Sequence, residues 1–370
     1  MTLKTFRLLS LIVLLCLPLA CNLPAYAPQA SVDGAASGEG HNLLLSAPPG
    51  STPTATPFQP LAPTPIWLPT DLPTPIPSDT PTPAPLQVAP EISRTWADYP
   101  GPTIWPDVEV PAPTGILAHP AGQVNILLLG SDQRPNDGGF RTDTIILLTL
   151  NPADGSAHLT SFPRDLYVYI PGWTVQRINT AFAFGGFDAL ALTMEYNFGV
   201  IPDHYVMINL WSFMDVIDSL GGIDVAVGQT LCDHRDDHGN FCVYQGAEYM
   251  DGEEALWYVR SRYSTSDFDR GRRQQEVILG VFEKLLSMDG LSQAPHLYDI
   301  YHDNVTTDMG LGDMLGYLPL AAQVAATRDI ARYYIGPHQV YDWMNYSGAM
   351  VLMPIRSAVL DVMRQALNTP

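Results

Sequence analysis

Proline divides this chain. Of its 34 prolines, 24 precede residue 121, leaving 10 for the remaining 250 residues. From Ala27 to about Pro120 they alternate with Thr, Ala and Ser in runs such as PTPIPSDTPTPAP. Proline fixes φ and carries no N–H, so such a stretch can build neither a helix interior nor a central strand, and it favours extended polyproline conformations. It also lacks the apolar surface needed to offset chain entropy. The sequence therefore predicts a tether over 22–120 and a folded domain over 121–370, beginning near Ala121.

The first 21 residues read MTLKTFRLLSLIVLLCLPLAC. Lys4 and Arg7 precede an apolar run from Leu8 to Ala20. That run falls short of the roughly 20 residues needed to cross a bilayer core of ~30 Å, but it suits the apolar region of an export signal. Cys21 after Leu19-Ala20 resembles a bacterial lipobox, with Pro18 where Leu or Val is usual, so Cys21 is the expected lipidation site. A plain cleaved signal and an uncleaved anchor are the alternatives. In an exported chain, Cys232 and Cys242, which bracket DHRDDHGNF, are expected to form a disulfide. A metal loop using His234 and His238 with the thiols is the rival reading, and its spacing fits no common zinc pattern.

A net charge of −20 argues against binding nucleic acid or anionic lipid through bulk charge. Any anion site must be local. The only lysines are Lys4 and Lys284, so the positive charge is almost wholly Arg, whose planar fork grips phosphate or carboxylate with two parallel bonds.

After Gln123 the pattern changes. VNILLLG and TIILLTL are continuous apolar runs of strand length, as expected of central strands buried on both faces. HLTSF, LYVYI, HYVMINL and IARYYIG are further strand candidates. Helices are expected over Gly186 to Asn197, Ser212 to Leu220, the short GEEALWY behind a capping Asp251, Asp269 to Met288, Gly312 to Thr327 and Ile355 to Leu367. Interleaved strands and helices predict an α/β layered domain.

Arg134, Arg141, Arg164, Arg177, Arg260, Arg262, Arg270, Arg272 and Arg273 account for nine of the fifteen basic residues after position 120. Most sit where apolar segments end, and such ends converge on one rim in open α/β sheets. Clustered guanidinium groups repel unless an anion joins them. Asp132 in GSDQR and Asp143 in RTDT end one strand and begin the next. If those strands pair, both carboxylates can face one pocket and hold a divalent cation against phosphate oxygens; alternatively, each merely neutralises a neighbouring Arg or caps a turn. In DFDRGRRQQ, Arg270, Arg273 and Gln274 share a helix face with Val277. Arg is unfavourable at a helix N-terminus unless an anion sits there too; a solvated turn paired with Asp267 and Asp269 is the competing account.

GSDQR, FRTDT, SFPRD, RINTAFAFGG, FMDVIDSLGGI, DGEEALWYVRSRYSTSDFDRGRRQQ and VLMPIRSAVLDVMRQAL resemble successive motifs of the LytR-CpsA-Psr family, in order and spacing, over roughly Val124 to Leu367. The resemblance implies the family's fold, a single layered α-β-α domain with a central mixed β-sheet. It also implies a phosphotransferase that moves glycopolymers such as teichoic acids and capsules from a polyprenyl-pyrophosphate carrier to peptidoglycan outside the cell, the membrane being reached through the N-terminal lipid or signal anchor. Motif by motif, it makes Asp132 and Asp143 ligands of Mg²⁺, with Mn²⁺ as a substitute. Arg141, Arg164, Arg260, Arg262 and Arg270, helped by Gln274, would bind the pyrophosphate. Arg177 and Asn179 are secondary candidates, and Arg272 is expected in solvent. Arg141, Arg164 and Asp143 carry the expected catalytic roles; Asp165 or Asp143 are candidate general bases, with a positioned hydroxyl needing no strong base as the alternative. Phe182, Phe184, Phe187, Leu190, Leu192, Met194 and Phe198 are candidates to line a tunnel for the lipid, ordinary core packing being the other explanation. The chain departs from the family in its lipoprotein-like start with a long tether, and in its acidic, His-rich Cys232 to Cys242 loop.

Overall fold

A computed structural model describes residues 88–133, 140–288 and 300–368. The signal segment with Cys21, the tether up to residue 87, and Arg134 lie outside the described residues.

Six strands form the main sheet: β1 (Val124–Ser131), β2 (Thr142–Asn151), β3 (Ser156–Phe162), β4 (His204–Asn209), β5 (Thr306–Thr307) and β6 (Ile330–Tyr334), in the order β5-β4-β1-β2-β3-β6. β1 is parallel to β4 and antiparallel to β2, and β3 is antiparallel to β2 and parallel to β6, so the sheet is mixed. The two most apolar runs occupy its centre, where Leu127, Ile146 and Leu147 are fully buried. Alternation assigns the faces. Leu127, Leu129, Ile145 and Leu147 pack against Leu190, Met194 and Phe198 of helix α1 (Ala181–Phe198). Leu128, Leu148 and Val206 point to the other side.

On that other side, helices α2 (Leu210–Ser219), α3 (Gly252–Arg260) and α4 (Asp267–Ser287) build a second core around Ile217, Val225, Ala255, Tyr258 and Val277. Their starts are fixed by side chains that satisfy free N–H groups. Asp251 Oδ1 accepts from Glu254 N at 2.8 Å, and Ser266 and Asp269 form a capping box at the head of α4. Between these helices, Leu231–Arg235 and Gly239–Val243 make a hairpin in which Cys232 stands opposite Cys242 and is bonded to it. Among the described residues no group of three or more His, Cys, Asp or Glu is placed to hold a metal, so the metal-loop reading of this segment has no support there.

Two expectations need correction. The folded domain starts near Val88, ahead of Ala121: Val88–Ala89 pairs with His119–Pro120, and Tyr99, Ile116 and Leu117 are buried. The segment lacks N–H groups at its prolines, but it offers carbonyls, and buried tyrosines supply the donors. Tyr169 Oη donates to Pro100 O at 2.8 Å and Tyr196 Oη to Pro111 O at 2.6 Å. Helix α1 also begins five residues earlier than expected and breaks at Gly185 and Gly186, the latter with φ +70°, a conformation that costs glycine little.

Candidate active site

A cavity of ≈ 380 Å³ lies between the sheet and helices α2, α3 and α4. Leu128, Val206 and Ile208 come from the strands, Phe213 and Val216 from α2, Leu256 and Val259 from α3, and Val277, Ile278 and Val281 from α4. These side chains make its walls apolar. A second part of its lining is of another kind: Asp132, Asp143, Arg164, Arg260, Arg262, Arg270 and Gln274. Those residues follow β1, begin β2, follow β3, end α3 and open α4, so topology gathers them at one end of the sheet.

An ion network orders that end. Asp267 Oδ1 receives Arg270 at 2.9 Å and Arg262 at 3.2 Å, with Arg164 Nε at 3.9 Å. Arg164 Nη1 meets Asp143 Oδ2 at 2.5 Å, and Asn179 Nδ2 donates to Asp143 Oδ1 at 3.1 Å. Arg270 Nη2 also donates to the Asp143 carbonyl, at 3.2 Å. Gln274 Nε2 donates to Thr144 Oγ1 at 2.8 Å. Thr144 stands against Gly130, where a Cβ would come within 2.9 Å of it, so glycine at 130 is what lets the threonine and glutamine meet.

These guanidinium groups are crowded. Burial pushes Arg270 down to about 10; Asp267 draws it up, while Arg164 and Arg262 push it down. For Arg164, burial acts in the same direction, but Asp143, Asp165 and Asp267 outweigh it and the net shift is upward. A buried cation beside two others is a place where a multiply charged anion gains more than it would in water.

Both candidate metal ligands, Asp132 and Asp143, line the same mouth. Asp132 Oδ1 accepts the backbone N–H of Arg141 at 2.6 Å, which fixes its position at the end of β1. Two hard carboxylates beside an anion site fit a divalent cation that takes its other ligands from phosphate oxygens and water.

Not every expected residue arrives. The Arg141 side chain is exposed and is absent from the cavity lining; only its backbone joins the network, through Asp132. Arg177 is also outside the lining. It pairs with Asp165 at 3.1 Å and donates to Met350 O, because its strand belongs to a separate hairpin with Tyr167–Tyr169. Arg272 is not in solvent: it pairs with Glu276, one turn along the same helix, whose carboxylate also accepts from Tyr258. Arg273 is fully buried and holds Ser261 O and Thr265 Oγ1, fastening the loop that carries Arg262. Asp143 and Asp165 are both engaged by guanidinium groups, so either would have to release an ion pair to take a proton.

The candidate tunnel residues lie outside this cavity's lining, on the helix packed against the opposite face of the sheet. Leu190, Met194 and Phe198 are core, Leu192, Phe182 and Phe187 pack beside core clusters, and exposed Phe184 stacks on Trp173. Two contributors were not anticipated in their actual roles. Asp267 is the acceptor that gathers the arginines, and the apolar stripe of α4 faces the cavity as well as the core. The signal was available: Arg270, Gln274, Val277 and Val281 lie on one face of a single helix.

The site is thus an apolar cavity that ends in a cluster of guanidinium and carboxylate groups, the arrangement of an anion site with an apolar annex. The LytR_cpsA_psr family model matches residues 107–341, and the chain belongs to that family. It is 32% identical over 213 residues, 56% of its length, to the polyisoprenyl-teichoic acid–peptidoglycan teichoic acid transferase TagT of Bacillus subtilis, and 37% identical over 196 residues, 51% of its length, to TagU of Oceanobacillus iheyensis. The chain spans 66% and 59% of those two relatives. A solved structure of TagT bound to LIIa-WTA superposes with a TM-score of 0.56 at 28% identity, covering 67% of this chain and 90% of that one.

Proposed function

We propose that this protein transfers a glycopolymer phosphate from a polyprenyl-pyrophosphate carrier to a peptidoglycan hydroxyl at the outer face of the cytoplasmic membrane. One observation carries the reading: the apolar cavity ends at Arg164, Arg260, Arg262 and Arg270, so chain and diphosphate can be seated at once. The similarity to TagT and TagU supplies the substrate class. In the reaction, the acceptor oxygen forms a bond to the polymer-bearing phosphorus, the bridging P–O bond breaks, polyprenyl phosphate leaves and the hydroxyl proton is released. The arginines offset charge on the bridging and peripheral oxygens as that bond breaks, and their fixed ion pairs limit the reorganisation needed. Asp132 and Asp143 would hold Mg²⁺, or Mn²⁺, which when bound supplies further charge neutralisation on the phosphates.

The test incubates the full chain with labelled lipid-linked polymer, with and without glycan strands. Acceptor-dependent product is expected, and Arg164→Ala should lower turnover by roughly 10²–10³-fold, the scale for losing one preorganised donor. Release of polymer phosphate at full rate without acceptor would make the protein a pyrophosphohydrolase. Binding without turnover would make it a carrier protein.

A further inference from the structure

Next to the lipid cavity runs a second, wider groove of ≈ 700 Å³, and Arg260 and Arg262 line both. One side of it is the disulfide-closed hairpin, through His234, Arg235 and Asp236; Trp257 and Tyr263 line it as well. The hairpin is fastened to α3. Trp257 Nε1 donates to His234 O at 3.0 Å, Phe241 meets the Trp257 ring edge-on at 5.1 Å, and Arg235 lies 4.6 Å over Phe241 while pairing with Glu253 at 3.2 Å. Tyr263 is 82% exposed, with the His234 ring edge-on to its own at 6.5 Å. What sets Tyr263 apart from other exposed rings is its place: it lines a groove whose wall is braced, where its face is open to a stacking partner.

Charge narrows the occupant. The groove carries Arg235, Arg260 and Arg262 against Asp236, Glu253 and Asp267, which balance. A polymer with a phosphate in each repeat would call for a net positive wall, whereas an uncharged sugar backbone offers C–H faces to aromatic rings and hydroxyls to fixed polar groups. Continuity through Arg260 and Arg262 puts such a chain next to the phosphates.

We propose that this groove is a sugar-chain subsite, with Tyr263 and Trp257 as its stacking surface and the Cys232–Cys242 hairpin as its wall, and that it seats the acceptor glycan strand. Naming the strand as acceptor rests on the transfer reading; affinity for sugars does not.

Glycan strands stripped of stem peptides are titrated against the full chain, with a glycerol-phosphate oligomer as the charged comparison. The wild type should bind the strands. Tyr263→Ala should weaken that binding roughly tenfold, the order of one lost aromatic contact, and Tyr263→Phe should retain it. Because Tyr263 is a surface residue, loss of fold does not cloud the result. Equal binding by Tyr263→Ala, no binding by the wild type, or preference for the charged oligomer would overturn the proposal. Turnover separates the two readings. Strand binding through Tyr263 with no acceptor-dependent product refutes the transfer and leaves the subsite standing, whereas an unchanged acceptor KM in an active Tyr263→Ala enzyme refutes the subsite alone.

Discussion

Arg270 shows how a binding site opposes the stability of the fold that holds it. Its guanidinium is pushed down to about 10 from 12.5, first by burial, so between those values the unfolded chain binds the proton more tightly than the folded one. Stability must then rise with pH across that window, and below pH 10 the whole cost is present. Arg270→Met is therefore expected to stabilise the ligand-free protein at pH 7 by about 1–3 kcal/mol, a few degrees in a thermal melt, while abolishing turnover. A lower melting temperature would mean that the ion pairs with Asp267 outweigh the burial. Arg273 is the counter-case. It is also a buried arginine on the same helix, and like Arg270 it reaches a backbone carbonyl, but its partners Ser261 O and Thr265 Oγ1 belong to the loop it holds and it stands outside the cavity lining, so Arg273→Met should destabilise by about 2–4 kcal/mol. The two residues are three apart in sequence and look alike there; only the partner each reaches separates a ligand-gripping group from a fastening one.

Elements were more legible than sites. The uninterrupted apolar runs of β1 and β2 announced central strands, Asp251 announced the start of α3, and the spacing of Val277, Val281 and Leu285 announced α4. The tunnel candidates are accounted for by the core-packing alternative, because apolar periodicity reports that a face is covered and says nothing about whether protein or ligand covers it. Phe182 to Phe198 and Val277 to Val281 give the same signal, yet only the second face opens between three helices. Gly130 is a finer point at the same scale: Gly130→Val should drive Thr144 off Gln274, costing about 1–3 kcal/mol and raising the lipid donor's KM. For the hairpin, replacing both Cys232 and Cys242 with Ala should lower stability by about 2–3 kcal/mol if the hairpin unfolds with the rest, measured by denaturant titration. A smaller change in a two-state melt would show the hairpin opening separately.

At the scale of the molecule, the domain boundary is where composition misled. Proline content marks segments that cannot build a central sheet, but residues 88–120 need only one short strand pair, Val88–Ala89 with His119–Pro120; they pack on the domain and lend it carbonyls. A chain beginning at residue 121 would expose the pockets that Tyr99, Ile116 and Leu117 fill, a loss on the order of 5 kcal/mol, and should melt well below one beginning at residue 88. Equal melting temperatures would return the boundary to Ala121. Among the described residues no helix is long and apolar enough to cross a membrane.

The 21-residue helix α4 opens with Arg270 and Gln274 and continues along the cavity through Val281. A single rigid rod thus carries both the charged end of the cavity and one of its apolar walls, so the spacing between the two is set by helical rise and not by a loop.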